Sequence, residues 1–172
     1  TDLPAANPRI RTVTCPYTGE ELATVPALNP DVTIIHAQRA DRLGNAQVWG
    51  LLGVQKEAAF ASKRVIVVVE ELVDESVIRS DPNRTLIPGM IVDAVVVEPW
   101  GCHPSYAQGF YDRDNDFYVA WEEIARDPGR FQAYLDEWVY GVRDRSEYMA
   151  RQPGLRRLAA KAHMCEGVNY GF

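Results

Sequence analysis

Val32-Thr-Ile-Ile-His-Ala-Gln-Arg-Ala-Asp-Arg-Leu-Gly-Asn-Ala-Gln-Val-Trp-Gly50 is the stretch whose reading decides the fold. It opens as an apolar run, passes through a charged segment, reverses at Gly44-Asn45 and resumes as alternating apolar and polar residues. That order reads as strand, polar tip, tight turn and strand. From Val32 to Ala37 only Thr33 and His36 break the apolar run, which suits a strand covered on both faces. Gly44 and Asn45 are expected to supply positive φ for the turn. An exposed loop between two rigid strands can hold polar groups against a ligand.

Working outward, residues 51–63 read as a helix, with Val54, Ala58 and Ala61 on one face and Gln55, Lys56 and Glu57 solvated. Arg64-Val-Ile-Val-Val-Val-Glu70 follows, five β-branched residues in a row, which favours extended backbone. Ile91-Val-Asp-Ala-Val-Val-Val-Glu98 is a third such run, ended by Pro99 and Gly101. Neither run alternates, so both faces are expected to be buried, as in a parallel sheet. Three apolar strands separated by helix-length segments imply βαβ connections. Upstream, Pro4 and Pro8 mark residues 1–9 as an extended lead-in. Short strands from Ile10 to Thr14 and from Glu21 to Val25 flank the turn Pro16-Tyr17-Thr18-Gly19. Downstream, a helix is predicted from Phe117 to Arg126. Asp127-Pro128 restarts the chain with an N-cap and a proline at the first helical position. Phe131, Tyr134, Leu135, Trp138, Val139 and Val142 then recur at helical spacing, an amphipathic helix and a core or partner surface. Shorter helices are expected over 146–151 and 155–163, separated by Pro153-Gly154. The fold class is α/β: an open, mostly parallel sheet flanked by helices, with a helical C-terminal region. One domain is expected over 1–172, with lead-in 1–9, sheet region 10–101 and mainly helical tail 102–172.

The composition narrows the functional classes. Hydrophobic residues at 47% and charged residues at 24% match a soluble globular protein. A net charge of -6 argues against a broad nucleic-acid face, which needs a basic surface, and leaves room for a local phosphate site built by a few arginines. Cys15, Cys102 and Cys165 lie far apart with no CxxC pair, which argues against a disulfide framework and for a reducing, cytoplasmic setting. No Cys or His pair has zinc-ligand spacing, so no metal is expected. No apolar run approaches the roughly 20 residues of a membrane helix, and no signal peptide is read.

In open α/β sheets ligands bind beyond the carboxyl ends of the strands. That rule selects Gln38, Arg39 and Asp41, then Glu70 and Glu71, then residues 99–106. Arg39 and Asp41 could orient a carboxylate and a backbone amide; equally they could pair with each other or cap the turn. Glu70 could serve as nucleophile or general base if desolvated, or could cap the next element or pair with Arg79. Trp100-Gly-Cys-His-Pro-Ser-Tyr106 is dense and aperiodic, with His103 a candidate acid/base and Cys102 a candidate nucleophile. Neither has an evident partner in sequence, and Pro104-Ser105 could simply open a helix. Asp112-Arg113-Asp114-Asn115-Asp116 crowds carboxylates like a calcium loop but lacks the EF-hand glycine and distal glutamate, so a solvated turn with Arg113 pairing is expected. There is no GxGxxG, Walker A, GxSxG or HExxH. These residues describe an α/β domain with a polar strand-end edge and leave the reaction open.

The segments Ile34 to Gly50, Val65-Ile-Val-Val-Val-Glu-Glu71, Ile87-Pro-Gly-Met-Ile-Val-Asp93, Trp100 to Tyr106 and Tyr111-Asp-Arg-Asp114 together resemble the alpha subunit of the family I coenzyme A transferases, the glutaconate CoA-transferase type. The resemblance runs from about Asn7 to Val142. It implies a fold of the CoA-transferase and ribose-isomerase type, with the active site at the junction with a beta subunit. It implies acyl-CoA and a carboxylic acid as substrates, coenzyme A thioester chemistry without a bound cofactor, and a hetero-oligomer or dimer. In the family the attacking glutamate lies in the beta subunit beside a glycine-rich oxyanion loop, so no catalytic residue is assigned here. Glu70 and Glu71 match alpha-subunit residues without the nucleophile role. Alpha subunits of this type are near twice this length, so the chain is expected to correspond to a carboxyl-terminal half. The substrate-binding candidates are Gln38, Arg39, Asp41, Asn45, Glu70, His103 and Tyr106. The alternatives are a CoA-thioester hydrolase of the same fold, acting on a ring-opened steroid or other acyl-CoA, and a non-catalytic scaffold or regulatory module.

Overall fold

The computed structural model describes residues 1–152 and 154–162. Two sheets form. The smaller is an antiparallel hairpin of β1 (Arg11–Thr14) and β2 (Glu21–Thr24). The larger contains β3 (Thr33–Ala40), β4 (Ala46–Gln47), β5 (Val65–Leu72), β6 (Thr85–Ile87) and β7 (Ala94–Val97), in the order β6-β4-β3-β5-β7. The three long apolar runs are the parallel strands, with Ile35 opposite Val67 and Val67 opposite Val95. Their β-branched side chains fit a pleated surface and resist helical backbone. The two short strands β4 and β6 add an antiparallel edge. The hairpin from β3 into β4 is the one the opening stretch predicts, although β4 ends at Gln47. β6 escaped the sequence reading because three residues carry too little periodicity to register as a strand.

One face of the sheet makes the core. Ile35, Ala37, Val65, Val67, Val69 and Ile87 are buried there with Ala59 of α2 (Gln55–Ala61). The expectation that every run is buried on both faces needs correction. On the opposite face Ile34 is 68% exposed and Val96 is 43% exposed. The segment after β7 covers only the carboxyl-terminal part of that face, where Trp100 and Gly101 settle on Glu70 and His36.

The helices carry their own signals. Within the lead-in expected to be extended, Leu3–Ala6 forms one turn, α1, because Pro4 falls in the first turn, where its missing N–H costs nothing. α3 (Glu75–Ser80) is capped by Asp74, which accepts from Ser76 N at 2.9 Å. α4 (Asn115–Arg126) starts two residues before the predicted Phe117 and is capped by Asp114. α5 (Pro128–Leu135) is capped by Asp127 with Pro128 just inside, as the sequence predicts. The helix expected to run to Val142 instead changes to a π-helical turn over Asp136–Tyr140. That turn closes onto Gly141, where a Cβ would collide with the Asp136 carbonyl oxygen. α6 (Arg145–Arg151) and α7 (Leu155–Ala162) follow. The predicted end of the last helix at His163 lies outside the described residues, as do Pro153 and Cys165. Phe117, Trp121 and Tyr134 pack α4 against α5, with Trp121 and Tyr134 ring centroids 5.0 Å apart. Among the described residues no helix is long and apolar enough to cross a membrane.

Candidate functional site

The turn after β3 is built by its own polar groups. Asp41 Oδ1 accepts from the backbone N–H of Leu43 and of Asn45, each at 2.9 Å, and its Oδ2 accepts from Asn45 Nδ2 at 2.9 Å. Gly44 supplies a φ of 86°, whereas Asn45, expected to share that role, has no positive φ. Asn45 instead accepts from Gly89 N at 2.9 Å through Oδ1, tying this turn to the loop after β6. Arg39 does not pair with Asp41; its Nε donates to Gln47 Oε1 at 2.8 Å and its guanidinium lies over Trp49 at 5.4 Å. Gln38 extends the hairpin past β4: Nε2 donates to the Trp49 carbonyl at 2.9 Å and Oε1 accepts from Trp49 N at 3.3 Å.

Glu70, at the end of β5, is the hub of a second cluster. Its side chain is 3% exposed. Oε2 accepts from Trp100 N at 2.7 Å, and Oε1 accepts from the Tyr111 hydroxyl at 2.6 Å. His36 Nε2 lies 2.8 Å from the same Oε1. That N–H does not point along a hydrogen-bonding line, so the attraction is charge on charge. Burial opposes a charge on His36, but Cys102 and Glu70 outweigh it and raise the imidazole to about 9. Burial first, then Glu70, pushes the Tyr111 phenol far above its ordinary range, so Tyr111 stays a donor. The Tyr111 oxygen in turn accepts from Cys102 N at 3.0 Å. Trp100 takes a φ of 66° and stacks on Tyr111 at 4.2 Å between centroids. Gly101 leaves room for this seat, since a Cβ there would stand 3.0 Å from His36 Cδ2. Arg79, the sequence-level candidate partner of Glu70, pairs with Glu75 instead.

His103 belongs elsewhere. Its side chain is fully buried, with Nε2 3.2 Å from Asp114 Oδ2 and Nδ1 3.4 Å from the Tyr148 hydroxyl. Burial lowers its pKa, Arg145 adds repulsion, and Asp114 only partly offsets them. Pro104-Ser105 opens no helix; the His103–Pro104 bond is cis within a run of turns. In the acidic segment Asp114 caps α4, Asp116 pairs with Arg157, and Arg113 lies over the Tyr118 ring at 4.0 Å rather than pairing with the carboxylates. Among the described residues no group of three or more His, Cys, Asp or Glu is placed to hold a metal ion.

Depressions lie near the strand ends. A cleft of about 190 Å³ is lined by His36, Gln38, Trp49, Cys102, Tyr106 and Gln108. A wider groove of about 890 Å³ runs from Arg42 and Leu72 along α3 to Arg79. Of the seven substrate-binding candidates, the structure brings Gln38 and Tyr106 together at the cleft, with Glu70 behind its wall. Asp41 and Asn45 meet as turn builders, Arg39 packs on Trp49, and His103 stands in a separate cluster. His36, Tyr111 and Arg42 were missed. Alternation along β3 puts His36 on the same face as Gln38, which was the available signal.

Known proteins resemble this chain in sequence and fold. The coenzyme A transferase family profile matches residues 7–98. A 3-oxoadipate CoA-transferase subunit of Pseudomonas knackmussii is 54% identical over 150 residues, covering 87% of this chain and 52% of the relative. A glutaconate CoA-transferase subunit of Acidaminococcus fermentans is 39% identical over 152 residues, covering 88% of this chain and 47% of the relative. The crystal structure of glutaconate coenzyme A-transferase from the same organism superposes with a TM-score of 0.81 at 38% identity, over 87% of this chain and 47% of that one. The chain thus spans about half the length of the curated relatives it matches. By sequence and by fold, this chain belongs to the coenzyme A transferase family.

Proposed function

We propose that the chain is the alpha-subunit part of a CoA-transferase. Coenzyme A moves between carboxylic acids through acyl-glutamyl and glutamyl-CoA intermediates on a glutamate carried by a beta subunit. The observation that carries this reading is the 54% identity to a 3-oxoadipate CoA-transferase subunit, within a matched family profile. The geometry agrees with it. Glu70, the strand-end acid the sequence singles out, has both oxygens engaged inside the protein and a side chain only 3% exposed, which keeps it from a ligand. The two relatives are named for 3-oxoadipate and glutaconate, both dicarboxylic acids, so a short dicarboxylic acyl group is the substrate class we assign. The strand-end groove beside Arg42 is its natural approach, because a guanidinium matches a carboxylate in charge and shape. The substrate is the coenzyme A thioester itself, the partner is a beta-type subunit, and the setting is the reducing cytoplasm.

The test is steady-state kinetics of the chain in its assembly with a beta-type subunit. Ping-pong exchange that requires an acceptor acid supports transfer. Free acid appearing without any acceptor would identify a hydrolase instead. An assembly that forms yet turns over neither way would reduce this chain to a scaffold.

A further inference from the structure

The hairpin of β1 and β2 is the part of the chain that the folded body does not use. None of its strand residues is buried, and no other described element makes an extended contact with it. The first buried residue along the chain is Ile35. A lone two-stranded hairpin is marginal in water and needs its apolar face covered. The register defines that face. Arg11 stands opposite Thr24 and Val13 opposite Leu22, and Cys15 N donates to the Glu20 carbonyl, which carries the ladder one step further. Opposed residues share a side and neighbours along a strand alternate. Arg11, Val13, Cys15, Glu20, Leu22 and Thr24 therefore lie on one side, and the polar Thr12, Thr14 and Glu21 on the other. The first side is apolar in the middle, where Val13 is 48% and Leu22 41% exposed. It is basic at the open end through Arg11 and acidic at the turn through Glu20. Neither charge forms an ion pair with a described residue.

Such a face is its own complement. Stacking two copies with their strands reversed puts a two-fold axis through the Val13–Leu22 pair. Val13 and Leu22 then meet their own counterparts in the second copy. Each Arg11 comes to the turn end that carries the other copy's Glu20. Stacking in the same sense would bring arginine to arginine and glutamate to glutamate, and such like-charge contacts are what interfaces exclude. The order of charges along the hairpin therefore selects one packing. Every contact in it is made twice, as a closed two-fold pair requires. Two exposed strands become four strands in two layers around an apolar seam, which is how an amphipathic sheet hides its apolar face.

We propose that this chain pairs with a second copy of itself through the β1–β2 hairpin, the two hairpins stacked in reverse sense on their Val13–Leu22 faces. The occupant follows from the chemistry of the surface. It must offer an apolar pair flanked by one cation and one anion in opposite order, and a reversed copy of the hairpin offers that. A patch of this size makes a weak pair. The pairing stands on the hairpin alone and does not depend on the acyl chemistry proposed above.

Sedimentation equilibrium of the chain over about 1 to 300 µM tests the pairing, a range that suits a weak association. A monomer–dimer equilibrium is expected. Leu22→Asp should weaken it roughly 10-fold or more and leave the circular dichroism unchanged, because the side chain is not buried within the chain. Arg11→Glu and Glu20→Arg should each weaken dimerisation, since each sets like charges against one another across the pair. Combining them reverses both charges, and the double variant should recover most of the wild-type association. A chain that sediments as a monomer throughout overturns the proposal. So does a dimer indifferent to Leu22→Asp, or a double variant that associates no better than the two single ones. Leu22→Asp that spares self-association and cuts assembly with a beta-type subunit would give the face to that subunit, and the proposal would fall.

Discussion

His36 packs against the segment after β7 and His103 lies within it, each ring faces one carboxylate, and they hold protons in opposite ways. The separations are similar, 2.8 Å from His36 to Glu70 and 3.2 Å from His103 to Asp114. Yet His36 is raised to about 9, and His103 is lowered. The difference lies in the surroundings. Glu70 is enclosed, and Cys102 joins it in favouring charge on His36. Asp114 is more open, spends its other oxygen on the N-cap of α4, and shares the site with Arg145, whose charge opposes a second cation. A neighbouring carboxylate alone does not charge a buried histidine; the balance of enclosed polar partners against burial and nearby cations does. The same residue type thus serves as a charged group on a cleft in one place and as a neutral hydrogen-bonding hub in the other.

Breaking the His36 side costs most. Glu70→Ala removes the acceptor for Tyr111 and Trp100 N and leaves His36 uncompensated, so urea unfolding should show a loss of about 3 to 5 kcal/mol. Tyr111→Phe deletes one hydroxyl that both donates to Glu70 and accepts from Cys102 N, and should cost about 1 to 3 kcal/mol in the same assay. Stability against pH sharpens the contrast further. The His36 contribution is complete below about pH 6.5 and fades as pH rises through about 9, because the folded state holds that proton more tightly. The His103 contribution runs the other way: it is present above about pH 6.5 and fades as pH falls, because the folded state resists protonation. In a series of melting curves, His36→Gln should flatten the alkaline limb and His103→Gln the acid limb. The smallest effect is expected from Asp114→Asn, which weakens the attraction to His103 but can still cap α4 at Phe117 N. A loss below about 1 kcal/mol by thermal unfolding fits that role.

The sheet was legible because runs such as Val65 to Val69, five β-branched residues in a row, disfavour helix and fit extended backbone. What covers the second face was not, since an apolar run looks the same whether or not a layer packs on it, and Ile34 is largely exposed. Asp127-Pro128 announced a helix start because capping is local chemistry. The change to a π-turn at Asp136 was invisible, because side-chain spacing does not record a slipped hydrogen-bond register. At the site, Asp41 and Asn45 lie on the turn the sequence marks, where they satisfy one another and Gly89, the turn-capping alternative that the sequence offers for Asp41. Glu70 had a local candidate in Arg79, but its partner Tyr111 lies 41 residues on, a pairing that only the folded sheet creates. His36 was passed over as an exception in an apolar run, although its alternation with Gln38 marked the face on which the cluster forms.

The most direct test is an NMR titration of the imidazole resonances, assigned with His36→Gln and His103→Gln. The account predicts that His36 titrates near pH 9 and that His103 titrates below its ordinary value of about 6.5. Two histidines titrating together near about 6.5 would contradict it, and Glu70 would then be no more to His36 than a neighbour.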